Sequence, residues 1–257
     1  MQESFFRQVL DILQKYWPSM AIGIQNTLII SLTGTIIGLV IGLFVGGLRA
    51  IRLDYTASKS ALIGKKILDF AGKVYIDVFR GTPMMVQAVF LYYALLNIVH
   101  WDKLGAGIFV ISVNTGAYMA EIIRSGIQAV DPGQTEAARS LGMSNIQTMM
   151  NVVLPQAVRN AFPAIGNEFI VNIKDSSVLM IISIADLMFQ SKSIAGSTFQ
   201  FTATYGITAA IYFILTSTAS LILNLIEKRL NRPRTSFPQS DTDPSSMSLA
   251  TEKAGKS

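Results

Sequence analysis

The stretch from Ala21 to Leu48 is apolar for longer than the ~20 residues that carry a helix across a bilayer. No water is available there to satisfy backbone N–H and C=O groups, so such a segment folds as a helix and not as an open strand. Four more apolar segments follow, at about Val74–Val99, Ile108–Val130, Ala161–Phe189 and Tyr205–Ile226. The 257-residue chain is 51% hydrophobic and only 14% charged, against roughly 25% charged in an ordinary soluble domain. It reads as an all-α polytopic membrane protein with about five transmembrane helices.

The segments before and after the spans differ in character. Phe5, Phe6, Val9, Leu10, Ile12, Leu13, Tyr16 and Trp17 recur near helical spacing, which predicts an amphipathic helix over residues 1–18 lying on the membrane surface. Pro18 is expected to end it. Acids and bases mix there, unlike the basic start and compact apolar core of a cleavable signal peptide. Residues 19–232 form the transmembrane domain. Residues 233–257 are rich in Ser, Thr, Pro and Asp, with little to bury, and read as a disordered cytoplasmic tail.

Basic residues set the orientation. One side of the membrane collects Arg49, Arg52, Lys59, Lys65, Lys66 and Lys73 from a loop after the first span. Arg124, Arg139 and Arg159 join them from the central region, and Lys228, Arg229, Arg232 and Arg234 from beyond the last span. The other side has only Arg7, Lys15, Lys103 and Lys192. By the positive-inside rule the N-terminus is outside and the C-terminus cytoplasmic. The net charge of +5 is thus read as topology, with no nucleic-acid partner; membrane lipid is the surrounding medium. Cysteine is absent and His100 is the lone histidine, so no thiolate or His-based metal site, no nucleophile and no cofactor are expected. Gly34, Gly38, Gly42 and Gly46 line one helix face, permitting close approach of another backbone within the subunit or between subunits.

One compact polar element, residues 131–155, lies between the third and fourth spans. Asp131 can cap a helix that starts at Pro132, with Gln134 at the capping-box position. Gly142 supplies a left-handed stop. Ser144 and Gln147 repeat the capping-box spacing and start a second short helix, expected to end before Pro155. A helix of ~10 residues is about 15 Å long, suited to a rigid peg. On these residues alone, a hairpin lying at the interface serves equally well.

Polar groups also stand inside the apolar segments. At about 100° per residue, Glu168 and Asp175 fall within roughly 20° of each other, with Asn172 one turn from Glu168 and Ser176 beside Asp175. Carboxylates at depth are expensive and mark transport paths, or else pair with a cation such as Lys174 or Arg80. Arg80-Gly81-Thr82-Pro83 breaks the second span. Broken helices are tolerated where they line a cavity, which makes Thr82 and Gln87 neighbours of a substrate; a simple proline kink explains the same letters. Asn114, Tyr118 and Glu121 add polarity to the third span, and Glu121 and Arg124 form an i, i+3 pair.

The run EAARSLGMSNIQTMMNVVLP, from Glu136 to Pro155, resembles the EAA loop of ABC-importer permeases, with Val152 where that family usually has isoleucine. FRGTPMMVQ (Phe79 to Gln87) and NEFIVNIKDSSV (Asn167 to Val178) resemble the polar amino-acid uptake subfamily of histidine, glutamine and arginine permeases. The resemblance implies the type I importer permease fold in a bacterial cell membrane. It implies that Glu136, Ala137, Ala138 and Gly142 form a coupling helix docked into a cytoplasmic ABC ATPase dimer. It also implies an extracytoplasmic substrate-binding protein and a second permease, identical or similar. The chain lacks G-x-x-x-x-G-K-[ST], so it is read as no enzyme itself, with ATP hydrolysis left to the partner. The acidic pair leans toward basic amino acids or glutamine, although a carboxylate can hold the ammonium of any amino acid. The alternative is a stand-alone ion-coupled secondary transporter, which paired broken helices would favour; the sequence has one clear break.

Overall fold

Helix α1, Phe5–Ala50, has 46 residues and so extends about 69 Å at 1.5 Å per residue, well past a hydrocarbon core ~30 Å thick. The computed structural model describes residues 4–51, 58–100 and 102–230. Within them follow α2 (Lys59–Gly81), α3 (Met84–Leu95), α4 (Lys103–Gln128), α5 (Pro132–Ser140) and α6 (Asn145–Thr148). A π turn, Met149–Val153, leads into α7 (Leu154–Asp175); a 3-10 turn, Ser176–Ile182, precedes α8 (Leu187–Thr198) and α9 (Phe201–Leu230). No strand occurs among the described residues. The basic positions Arg52, Arg232 and Arg234, and the tail 233–257, lie outside them.

The core is α1 laid along α4. The glycine stripe makes this possible. A Cβ on Gly42 would lie 2.8 Å from the backbone nitrogen of Ala120, and one on Gly46 would lie 2.7 Å from the Ala120 carbonyl oxygen. The stripe therefore serves packing inside the subunit. Helix α7 closes the other side of α4 through Met119, Ile123, Ala161 and Ile165.

Pro18 does not end the first helix, which runs straight through it. A proline inside a helix forfeits one hydrogen bond and crowds the carbonyl four residues back. Here tertiary packing offsets the loss: Ile12 and Met20 are buried against Leu187, Ile194, Ala203 and Ile207 of α8 and α9. Residues before Pro18 are thus part of a long packed helix and not a separate surface helix.

The five apolar segments also need amending. Helices α1, α4 and α9 are long and apolar enough to cross a membrane singly, and the stretch Asn145–Ile182 reaches that length and apolarity only together with α8, across a bend of 55°. The second segment is divided at Thr82–Pro83 into α2 and the short apolar α3. Its basic approach, Lys59 to Lys73, is not a loop but the first part of α2, capped by the Ser58 hydroxyl, which accepts from the Ala61 amide at 3.3 Å. The fourth segment breaks where the sequence suggested continuity. Ser183 takes a left-handed conformation, φ 61°, and Asp186 restarts the helix by accepting from the Phe189 amide at 2.9 Å.

Candidate functional site

Two regions hold the residues singled out above. The first is the polar element. The Asp131 carboxylate accepts from the Gly133 amide at 2.8 Å, with Pro132 in the first turn where its missing N–H is no loss. The expected capping box with Gln134 does not form; Gln134 instead accepts from the Gln156 amide group at 3.4 Å and ties α5 to α7. Gly142, φ +82°, turns the chain, and the Met143 amide donates to the Ala138 carbonyl at 3.2 Å, closing the helix end. The second capping box is complete: Ser144 Oγ accepts from the Gln147 amide at 3.2 Å, and Gln147 Oε1 accepts from the Ser144 amide at 2.9 Å.

The second short helix does not stop before Pro155. It opens into the π turn, where the Leu154 amide reaches the Met149 carbonyl five residues back, and then continues as α7. The wider turn absorbs the missing N–H of Pro155. Glu136, Ala137 and Gly142 lie exposed, while Ala138 is buried. Leu141 at the tip is 84% exposed. The result is a short rigid projection held at both ends by spans α4 and α7.

The second region lies along the middle of α4. Gln87, at the start of α3, folds back across the break; its amide donates to the Phe79 and Thr82 carbonyls, both at 2.9 Å, and to Thr82 Oγ1 at 2.7 Å. Its carbonyl oxygen accepts from Asn114 of α4 at 2.7 Å. One position on, Thr115 donates to Asn172 Oδ1 at 3.1 Å, and Asn172 Nδ2 donates to Thr35 Oγ1 of α1 at 2.8 Å. Thr82, Gln87 and Asn172 are therefore held by protein partners, each bridging elements. Ser176 is likewise satisfied by the Ile173 carbonyl at 2.9 Å.

Glu168 and Asp175 differ. Both are half-buried, and neither has a hydrogen-bond or ion-pair partner among the described residues. Arg80 does not reach them as an ion pair. Its guanidinium lies 4.0 Å from Glu121 and 5.6 Å from the Tyr118 ring centre. Glu121 is also bonded by Arg124 Nε at 2.9 Å, as the i, i+3 spacing suggested.

Sequence reasoning passed over several participants. Thr35 and Thr115 give no signal of their own, because a hydroxyl in a span usually bonds its own backbone. Asp186 was legible: an acid ahead of the run Leu187-Met188-Phe189 has the form of an N-cap. It is fully buried, and Asn26 and Thr27 of α1 clasp the same turn through the Ala185 carbonyl at 2.8 Å and the Leu187 amide at 3.2 Å.

Residues 55–232 match the model of the binding-protein-dependent transport system inner membrane component family. The chain is a member of that family. It is 36% identical over 220 residues to the glutamine transport system permease protein GlnP of Escherichia coli (strain K12), covering 83% of this chain and 95% of the relative. A probable amino-acid ABC transporter permease protein of Bacillus subtilis (strain 168) is 37% identical over 214 residues, 83% and 89% of the two chains. A crystal structure of an amino acid ABC transporter with histidines superposes with a TM-score of 0.74 at 40% identity, covering 89% of this chain and all of that one. The inward-facing MetNI methionine ABC transporter shares the fold, with a TM-score of 0.70 at 19% identity over 83% and 96% of the chains. The inner membrane component is accordingly a multi-pass permease of the type I importer architecture. Its family is that of binding-protein-dependent transport systems.

Proposed function

We propose that this inner membrane component is the permease of an ATP-driven importer of polar amino acids, with α5 as the helix through which an ATPase drives it. The observation that carries the reading is the exposed, doubly capped projection fixed between α4 and α7. Motion of a socket around Glu136, Ala137, Ala138 and Gly142 turns both spans at once, because Val130, Val153 and Ala157 bury the joints at its base. Two ATPase subunits closing on nucleotide would move two such projections, which calls for a second permease, identical or similar. A substrate-binding protein would deliver the amino acid from outside.

Within the membrane, Glu168 and Asp175 are the carboxylates free to meet an ammonium or guanidinium. Asn172, Ser176, Thr82 and Gln87 shape the path around them. Basic amino acids and glutamine fit this pair, and relatives named for glutamine transport support the same class. The asymmetry of basic residues supports a cytoplasmic projection and C-terminus and an N-terminus outside. The second helix break, at Ser183–Asp186, does not restore the ion-coupled alternative, since membership of a binding-protein-dependent family favours a borrowed energy source.

Reconstitution tests this directly. Purification from native membranes brings down an ATPase, and proteoliposomes with the binding protein take up amino acid only when ATP is supplied on the ATPase side. Uptake by the chain alone on an ion gradient overturns the reading.

A further inference from the structure

Below the projection, between the ends of α1 and α4 and the turns of α5 and α6, lies a cavity of about 570 Å³, within the size range of ligand sites. Arg49, Arg124, Gln128, Glu136 and Thr148 line it, together with apolar residues such as Ile51 and Met149. Thr148 is 2% exposed, and its hydroxyl oxygen is buried with no hydrogen-bond partner among the described residues. Such a group is costly unless something else completes it. The Arg49 guanidinium has no carboxylate within 4.0 Å among the described residues. Arg124 spends Nε and one terminal nitrogen on Glu121 and keeps further N–H donors.

Two arginines and an orphan hydroxyl in the lining of one cavity supply donors of the kind that recognise a phosphate. Glu136 in the same lining would accept from a donor on the ligand, such as a hydroxyl or an ammonium. We propose that this cavity binds a phosphate-bearing anion, either the headgroup of an inner-leaflet phospholipid or free phosphate, and so braces the joint between the spans and the projection. Its assignment to the inner leaflet rests on the orientation proposed above. The apolar lining and the position at the ends of two spans suit a headgroup with its glycerol attached. Free phosphate shares the polar contacts alone.

The test uses the permease as it leaves native membranes, with whatever copurifies, in vesicles of phosphatidylcholine with or without phosphatidylglycerol. Native mass spectrometry after delipidation reads retained phosphatidylglycerol, and inorganic phosphate added to the phosphatidylcholine sample is read by its shift of the melting temperature. The variants are Arg49→Gln and the nearly isosteric Thr148→Val. Losing one charge-assisted bond weakens retention roughly tenfold or more. Retained lipid that Arg49→Gln and Thr148→Val both release establishes the headgroup. A phosphate-induced melting shift that both variants abolish establishes free phosphate. If Thr148→Val merely raises the melting temperature and neither probe distinguishes the variants from wild type, the hydroxyl is an unfilled cost and the proposal fails. Absence of a copurifying ATPase would overturn the coupling reading while leaving both binding readouts intact.

Discussion

Two residues four apart on α7 separate the two meanings of a polar group in a membrane. Asn172 is consumed by structure: it accepts from Thr115 and donates to Thr35, joining three helices. Asn172→Ala leaves both hydroxyls without that partner in a buried setting, at a cost of about 1–3 kcal/mol. The purified permease should melt at a lower temperature, whatever substrate is present. Glu168 has no such partner to lose. Glu168→Gln keeps the shape and removes the charge, so the melting temperature should hold. Uptake of a cationic amino acid should fall about tenfold or more, the loss expected when one charged contact of ~1.4 kcal/mol is removed. An unchanged uptake profile, with normal ATPase association, would remove Glu168 from the path. The sequence could not make this distinction, since an asparagine and a glutamate on one helical face look alike until their neighbours across the bundle are known.

At the scale of elements, the legible features were those whose cause is local. The caps at Asp131 and Ser144 and the left-handed Gly142 are short-range chemistry, and each is where its residue type put it. The continuity of α1 through Pro18 and the bend at Ser183 were not legible, because tertiary contacts decide both. The glycine stripe offers a matched comparison. Gly42→Ala puts a methyl against Met119 and the Ala120 backbone, whereas Gly47, one residue past the stripe and off its face, has room: a Cβ there meets nothing within 4 Å. Gly42→Ala should separate α1 from α4 and cost about 1–3 kcal/mol as overpacking. Gly47→Ala should be neutral or slightly stabilising in a helix. Thermal unfolding of the two variants in one detergent checks the pair. Gly142→Val tests the projection itself. A β-branched residue resists φ +82°, so the tip should distort and uptake should collapse while the external protein still binds its amino acid.

The whole molecule has two ends that α1 connects. At one, the ring of Phe5 lies 3.8 Å from where a Cβ on Gly206 would sit, near the turn between α8 and α9. At the other, Arg49 and Ile51 share a cavity with the base of the projection. Leu141, 84% exposed, and Phe199, 79% exposed, thus stand at opposite ends. The chain has no cysteine, so a single Leu141→Cys or Phe199→Cys gives an unambiguous label without further engineering. With the N-terminus outside, a membrane-impermeant maleimide should react with Phe199→Cys in intact cells stripped of their outer layer. It should react with Leu141→Cys only in inverted vesicles. The reverse pattern would place the projection outside and leave it no cytoplasmic ATPase to meet. The inverted vesicles carry a second readout from the same label. If Leu141 sits in an ATPase cleft, it should react slowly while the ATPase is bound and rapidly once the ATPase is washed off. Equal rates in the two preparations would mean that the projection stands clear of its driver, and coupling would then have to pass through another surface.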